Sequence, residues 1–188
     1  MPTKKTMKLD AKEKSLIGIT MGDPGGIGPE VILKALTSPE IRAAANYVVI
    51  GSEKVLSNIS DRVLSDNISV LDLDNFTVNN ALSHKPLPDS GKASVEYILK
   101  GLDLAINGKI DALVTAPISK EAIKLAGYNY AGHTELLKEK TSVENVVMFM
   151  VGKGLRVSFV TTHLAVNEIS GAINQENVFS TIQITATG

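Results

Sequence analysis

Short β-branched runs alternate with helical patterns along this 188-residue chain, and no other feature constrains its fold as strongly. Such runs are typical of strands, and the helical stretches between them indicate crossover connections. The predicted strands are Leu16 to Thr20, Tyr47 to Ile50, Ser69 to Leu73, Ala112 to Thr115, Val146 to Val151 and Arg156 to Val160. The pattern predicts an α/β fold with a parallel or mixed sheet and helices on its faces.

Three local patterns refine this prediction. Apolar residues at three- and four-residue steps predict a core helix from Lys92 to Ile106, and Asn107-Gly108 supplies its stop. The apolar face of that helix is Val95, Ile98, Leu99, Leu102 and Ile106. Residues 74–91 have weak periodicity and predict an irregular connection, the best candidate for a lobe boundary. The glycine-containing turn within Val146 to Val160 predicts a hairpin, hence an antiparallel element in the sheet.

Composition narrows the classes of partner. The chain has 19 Lys and Arg against 20 Asp and Glu, which provides no positive surplus for nucleic acid or a membrane surface. It has no cysteine, and no apolar run reaches the roughly 18 residues of a membrane span. We therefore expect a cytoplasmic protein with a small-molecule partner, a disordered tail at residues 1–14 and a folded part from 15 to 188.

A glycine-rich stretch, Gly22 to Glu30, follows the first predicted strand and leads into a helical pattern. Its spacing matches neither the dinucleotide fingerprint nor a P-loop, so it predicts no nucleotide site. Free amides at the helix start favour a phosphate or carboxylate, whereas close glycines also suit a purely structural turn. Both interpretations remain open.

Three later stretches place polar residues where ligands bind in α/β sheets. Thr115 and Lys120 follow a strand, and Ser119 is a predicted helix cap, although a lysine there is often only solvated. His133 and Thr134 begin a helical run. They are either ligand-binding groups, or His133 is a surface loop residue and Thr134 is an N-cap. His163 follows an apolar stretch. It is either a metal ligand or a hydrogen-bonded structural residue. His84 is predicted to have only a loop role.

Together these residues resemble the 4-hydroxythreonine-4-phosphate dehydrogenase family. The stretch Ile19 to Glu30 is similar to its amino-terminal signature. Later signatures match in the same order, and they are Thr115-Ala116-Pro117 with Lys120, Gly132-His133-Thr134-Glu135 and Thr161-Thr162-His163-Leu164. The resemblance extends from about Leu16 to about Val178.

The resemblance implies a fold like that of isocitrate and isopropylmalate dehydrogenases, with two interleaved α/β/α lobes and a homodimer. It implies NAD- or NADP-dependent oxidation of 4-phosphohydroxythreonine with decarboxylation to 3-amino-2-oxopropyl phosphate, in pyridoxal 5'-phosphate biosynthesis. His133 and Thr134 fall on the family's substrate-binding positions, and His163 on the first of three histidines that bind a divalent metal such as zinc, magnesium or cobalt. Catalytic and cofactor-binding residues are not assigned.

The resemblance also implies that this chain is the amino-terminal part of a longer enzyme, truncated and inactive alone, with exposed apolar surface that favours association. Its last residues, Thr181 to Gly188, are expected to depart from the long helix of the family. Two alternatives stay open: a related 4-phosphothreonate dehydrogenase, and a fragment or pseudoenzyme that only binds ligand.

Overall fold

The computed structural model describes residues 14–60, 66–77 and 85–187. Residues 1–13 of the predicted tail at 1–14, and His84, lie outside the described residues. The chain divides into two compact units between His133 and Thr134. That division falls well after residues 74–91, where the lobe boundary was expected.

The first unit contains a four-stranded parallel sheet with helices between its strands. Its elements are β1 (Leu16–Thr20), α1 (Gly28–Leu36), α2 (Pro39–Ala44), β2 (Asn46–Gly51), α3 (Glu53–Ile59), β3 (Ile68–Asp72), α4 (Pro88–Ile106), β4 (Ala112–Thr115) and α5 (Lys120–Leu125). All four predicted strands of this unit are present within one residue of their expected bounds. The predicted α/β fold with a parallel sheet is confirmed.

The strand order is β3-β2-β1-β4. The connections from β1 to β2 and from β2 to β3 therefore run in one direction along the sheet. The connection from β3 to β4 returns past β2 and β1. Because such connections are right-handed, α1, α2 and α3 cover one face and α4 covers the other. The direction reverses between β1 and β4, whose carboxyl ends thus flank the topological switch point, the usual ligand site of such sheets.

The core packs between the sheet and its helices. Buried side chains from β1 and β2 meet those of α1 and α3 in one cluster, which includes Ile19, Met21, Ile32, Leu33, Leu36, Val49, Val55 and Leu56. Burying a side chain of this kind contributes about 1.5–3 kcal/mol. The runs of β1 and β2 are rich in apolar residues because helices cover both faces of these two strands.

The helix α4 is longer than predicted, and its buried face is only partly the predicted one, since Val95 and Ile98 are buried as expected. Pro88 occupies its first turn, so the helix begins four residues before the expected Lys92. Its end at Ile106 is confirmed, with Gly108 in the left-handed region at φ +62°. Ile106 itself is 65% exposed, whereas Ser94, Tyr97 and Gly101 are buried. Small residues line this face because α4 packs closely on α5, where a Cβ on Gly91 would lie 2.0 Å from the Ala122 carbonyl oxygen.

The second unit contains a hairpin and three helices. Its elements are α6 (His133–Thr141, whose first residue belongs to the first unit), β5 (Met148–Gly152), β6 (Leu155–Phe159), α7 (Val166–Ala172) and α8 (Gln175–Thr187). The predicted hairpin is confirmed, but it is a separate two-stranded sheet, so the expectation of an antiparallel element within the main sheet was wrong. The expected departure from a helix at Thr181 was also wrong, because α8 continues to Thr187. None of the described helices has the length and apolarity that crossing a bilayer requires.

One face of the hairpin is almost entirely apolar. Directly opposed residues share a face, so Met148 and Phe159 lie beside Met150 and Val157, with Leu155 next to them. The opposite face mixes Phe149 and Val151 with polar residues. All five side chains of the first face are exposed. Exposed apolar patches of this kind favour association.

We predict that the 188-residue chain self-associates through this face. Met150→Lys should shift the chain toward its monomer mass, because it introduces a charge at the centre of the apolar face. Val151→Lys is the matched control. Val151 is adjacent to Met150 and similarly exposed, at 67% against 59% for Met150, but it lies on the opposite face of the hairpin. Size-exclusion chromatography with light scattering measures the mass. A native chain that is already a monodisperse monomer would contradict the prediction.

Candidate functional site

The turn that follows β1 is held against the end of β4. The Asp23 amide donates to the Pro117 carbonyl at 2.9 Å, and the Ala116 amide donates to the Thr20 carbonyl at 3.1 Å. The Asp23 carboxylate accepts from the Gly25 amide at 2.9 Å, an Asx turn that closes the loop on itself. The two loops flanking the switch point therefore form one junction, which we call the β1–β4 junction, residues 20–28 and 115–117.

Two glycines of this junction allow the close approach. Gly22 has φ +73°, and a Cβ there would lie 2.2 Å from the Pro117 carbonyl oxygen. A Cβ on Gly28 would lie 2.2 Å from the Met21 carbonyl oxygen. Since the Asx turn already uses the Gly25 amide, the geometry favours the structural interpretation of the glycine-rich stretch over an anion site.

The residues after β4 occupy the carboxyl edge of the sheet, as predicted. Thr115 is half-buried at the end of the strand, and Ser119 caps α5 by accepting from the Ala122 amide at 3.2 Å. Lys120 is the exposed first residue of α5. A cation is electrostatically disfavoured at a helix amino terminus, so helix stability does not explain Lys120.

His133 reaches the same junction. Its imidazole is half-buried and hydrogen-bonded to the backbone of Ala116, while Nε2 is buried with no partner among the described residues. The bond to Ala116 therefore uses Nδ1, which donates to the carbonyl. Burial lowers the pKa of His133 below its usual value, and the bond to Ala116 opposes this only in part. The neutral ring then keeps a lone pair on Nε2, an acceptor that no described residue satisfies.

Thr134 and His163 belong to the second unit. Thr134 is exposed in the first turn of α6. His163 is exposed four residues beyond the end of β6, with a left-handed backbone at φ +60°. That conformation is uncommon outside glycine, although histidine adopts it more readily than most residues. The structure thus brings Thr115, Lys120 and His133 to one edge of the main sheet, and it places His163 on a different unit.

The described residues do not make up a metal site. They contain no group of three His, Asp or Glu side chains that converge on one point, and the chain has no cysteine. A protein metal site usually takes three or more such ligands. The implied divalent metal therefore does not fit the described residues of this chain alone.

Sequence reasoning missed two groups that shape the site. The Asp23 carboxylate locks the turn, and the Ala116 carbonyl fixes which nitrogen of His133 carries the proton. An Asp two residues before a glycine is a recognised Asx-turn signal that would have identified the first. The second has no sequence signal, because it depends on a contact across 17 residues of chain.

Comparison with known proteins decides the family. Residues 31–188 match the family described as "Pyridoxal phosphate biosynthetic protein PdxA". The chain belongs to the PdxA family. This PdxA-family chain is 37% identical over 190 residues to a 4-hydroxythreonine-4-phosphate dehydrogenase of Desulforapulum autotrophicum, with 92% of this chain and 56% of that protein covered.

Two further similarities are relevant. A protein of Clostridium botulinum assigned as a D-threonate 4-phosphate dehydrogenase is 33% identical, over 90% of this chain and 56% of its own length. The crystal structure of a 4-hydroxythreonine-4-phosphate dehydrogenase from Burkholderia phymatum superposes with a TM-score of 0.80 at 34% identity, over 90% of this chain and 56% of that one. The chain therefore spans little more than half the length of these relatives.

The junction geometry predicts different costs at two left-handed glycines. Gly22→Ala should lower the free energy of unfolding by at least about 3 kcal/mol, because backbone strain adds to overlap with the Pro117 carbonyl. Gly108→Ala, at a similar φ but with no atom within 4 Å of its Cβ, should cost only about 1 kcal/mol. Urea denaturation measures both, and equal losses would contradict the close approach.

The pKa of His133 predicts a pH effect on stability. Because burial lowers this pKa in the folded state, the unfolded chain binds more protons as the pH falls through about 6.5, so acid destabilises the fold. His133→Asn retains a donor near Nδ1 but cannot titrate, and it should reduce the drop in Tm between pH 7.5 and 5.5. Exposed His163→Asn serves as the control. If His133→Asn leaves the drop unchanged, His133 is not buried as described.

Proposed function

We propose that this sequence is part of a metal-dependent dehydrogenase that oxidises 4-phosphohydroxythreonine with NAD or NADP and decarboxylates it to 3-amino-2-oxopropyl phosphate, in pyridoxal 5'-phosphate biosynthesis. Family membership and the Desulforapulum relative support the reaction. The observation that carries the proposal is the buried Nε2 of His133, which has no partner among the described residues and lies at the switch point of the sheet. A protein without cysteine needs no oxidising compartment, which supports a cytoplasmic location.

His133 and Thr134 are the proposed substrate-binding residues. Because Nδ1 donates to Ala116, a neutral His133 offers Nε2 as an acceptor for the substrate hydroxyl. The exposed hydroxyl of Thr134 can donate or accept. Lys120 provides a positive charge at the same sheet edge as His133, which suits an anionic phosphorylated substrate. These groups bind and orient the substrate, and the catalytic residues remain unassigned.

His163 is the proposed metal ligand of this chain, for zinc, magnesium or cobalt. It is exposed, so its imidazole is accessible. The other ligands have to come from outside the described residues, since no three-ligand group exists among them. The nicotinamide cofactor likewise requires residues elsewhere, because the Gly22–Gly28 turn is closed by Asp23 and does not follow the dinucleotide pattern.

The proposed full architecture is two interleaved α/β/α lobes of the isocitrate dehydrogenase type, assembled as a homodimer. In this proposal further chain covers one face of β4. Its residues Ala112 and Val114, which share that face, are exposed, and parallel sheets are normally covered on both faces. The 188-residue chain alone is then inactive, because the metal and cofactor sites are incomplete.

Two alternatives rest on specific observations. The Clostridium relative is 33% identical to this chain, and the Desulforapulum relative is 37% identical. Oxidation of a phosphorylated threonate is therefore the second candidate reaction. A chain that binds substrate without turnover is the other candidate, since the described residues contain no three-ligand group for a metal. Both share the substrate-binding role of His133, so substrate identity and turnover need separate measurements.

We predict that NAD or NADP reduction with 4-phosphohydroxythreonine and a divalent metal occurs with a version extended to family length, and not with the 188-residue chain. His163→Ala should abolish activity of the extended protein, because it removes a metal ligand. His133→Gln should raise KM about tenfold, the effect of one lost hydrogen bond.

Three controls separate the alternatives. Lys153→Ala, in the exposed hairpin turn, should leave the rate unchanged. If the extended protein is active with 4-phosphothreonate but not with 4-phosphohydroxythreonine, it is the related 4-phosphothreonate dehydrogenase. Substrate binding by calorimetry without turnover in the extended protein identifies a binding protein and overturns the proposed dehydrogenase.

A further inference from the structure

Two fully buried hydroxyl groups of the first unit have no hydrogen-bond partner among the described residues. They are Oη of Tyr97 on α4 and Oγ1 of Thr20 on β1, and both residues are 0% exposed. A buried hydroxyl without a partner is costly, and native proteins satisfy nearly all such groups with protein atoms or ordered water. Each of these hydroxyls is therefore a candidate for a bond to ordered water.

The two residues lie on facing surfaces. The Thr20 methyl carbon Cγ2 lies 3.1 Å from the position of a Cβ on Gly101, so the Thr20 side chain faces α4. Tyr97 precedes Gly101 by one helical turn. Because α4 runs antiparallel to the strands, Tyr97 is nearer than Gly101 to the carboxyl edge of the sheet. The Thr20 side chain thus lies between α4 and the end of β1, and the Tyr97 hydroxyl is close enough to feel the charge of Asp23, three residues after Thr20. Both observations point to the same region beside the β1–β4 junction.

The surroundings are polar enough to hold water. Burial, and then the charges of Asp72, Glu96 and Asp23, raise the pKa of Tyr97 far above its usual value, so its hydroxyl stays protonated and can donate. Asn75 donates to Glu96 at 2.6 Å, and its own buried Oδ1 also has no partner among the described residues. Donors and acceptors that do not reach each other directly are typical partners of an internal water.

We propose that one ordered water molecule bridges Tyr97 Oη and Thr20 Oγ1 and makes Tyr97 a positioning residue for the β1–β4 junction. Tyr97 donates to the water, and the water bonds to the Thr20 hydroxyl. Thr20 is the last residue of β1, and its carbonyl accepts from the Ala116 amide at 3.1 Å. The bridge therefore connects α4 to the backbone bond that holds the two loops together.

A double-mutant cycle tests the shared water. Tyr97→Phe and Thr20→Val each remove one hydroxyl at nearly constant volume, and each should lower the Tm of the 188-residue chain by about 2–4 °C. The double variant should lose no more than the larger single loss, because either change alone releases the water. Additive losses would show two independent sites. A rise in Tm for each single variant would show that the hydroxyls were truly unsatisfied. Both results overturn the proposal.

Hydrogen exchange tests the positioning role. Tyr97→Phe should speed exchange of the Ala116 amide several-fold and leave the Asp111 amide unchanged, since Asp111 bonds to Leu16 at the other end of the same strand pair at 2.8 Å. Tyr47→Phe is the control, because the Tyr47 hydroxyl bonds directly to the Ile41 carbonyl at 2.7 Å, away from the junction. Equal acceleration at Ala116 and Asp111 in Tyr97→Phe would mean a general loss of stability and overturn the positioning role.

Discussion

The hydrogen bond from the Asp23 amide to the Pro117 carbonyl is the contact on which the rest of the site depends. It joins the two loops that leave the sheet at its switch point. The approach is possible only because Gly22 has no Cβ and adopts a left-handed φ. A side chain at that position would separate β1 from β4 at the edge where the candidate ligand groups lie.

The two units bury their apolar residues to different degrees. In the first, parallel strands between α1–α3 and α4 account for most of the apolar positions. In the second, the hairpin exposes an apolar face, and Phe179 and Ile182 of α8 are 65% and 60% exposed. Charged residues do not interrupt the hairpin face, so solvent is an unfavourable environment for it. This difference makes the second unit the natural place for contacts that the chain does not make within itself.

The sequence was sufficient for the main sheet and insufficient for contacts between distant segments. Strands β1 and β4 matched their predicted bounds because β-branched runs bounded by glycine or polar residues carry a local signal. The buried face of α4 was only partly predicted, since Ser94, Tyr97 and Gly101 do not look apolar in sequence. They are buried because the helix packs closely on the sheet and on α5. Likewise, the unit boundary at His133 follows from contacts that periodicity cannot show.

The candidate site shows the same division between local and distant signals. Local motifs identified Thr115, Lys120, His133 and Thr134 as residues after strands or at helix starts, and the structure places the first three at one sheet edge. No local motif predicts that His133 donates to Ala116, because that bond depends on where the end of β4 lies in space. The relation of His163 to these groups rests on the family resemblance, since it belongs to the other unit.

The structural and functional interpretations of the glycine-rich stretch are therefore not true alternatives. The turn uses its Gly25 and Gly26 amides to close on Asp23, and it holds Ala116 and Pro117 in place. Ala116 then fixes the proton of His133 on Nδ1 and leaves Nε2 as an acceptor without a partner among the described residues. A residue that touches no ligand can in this way determine which hydrogen bond a ligand receives. In the proposed function the glycines act on substrate binding through the tautomer of a histidine more than 100 residues later in the chain.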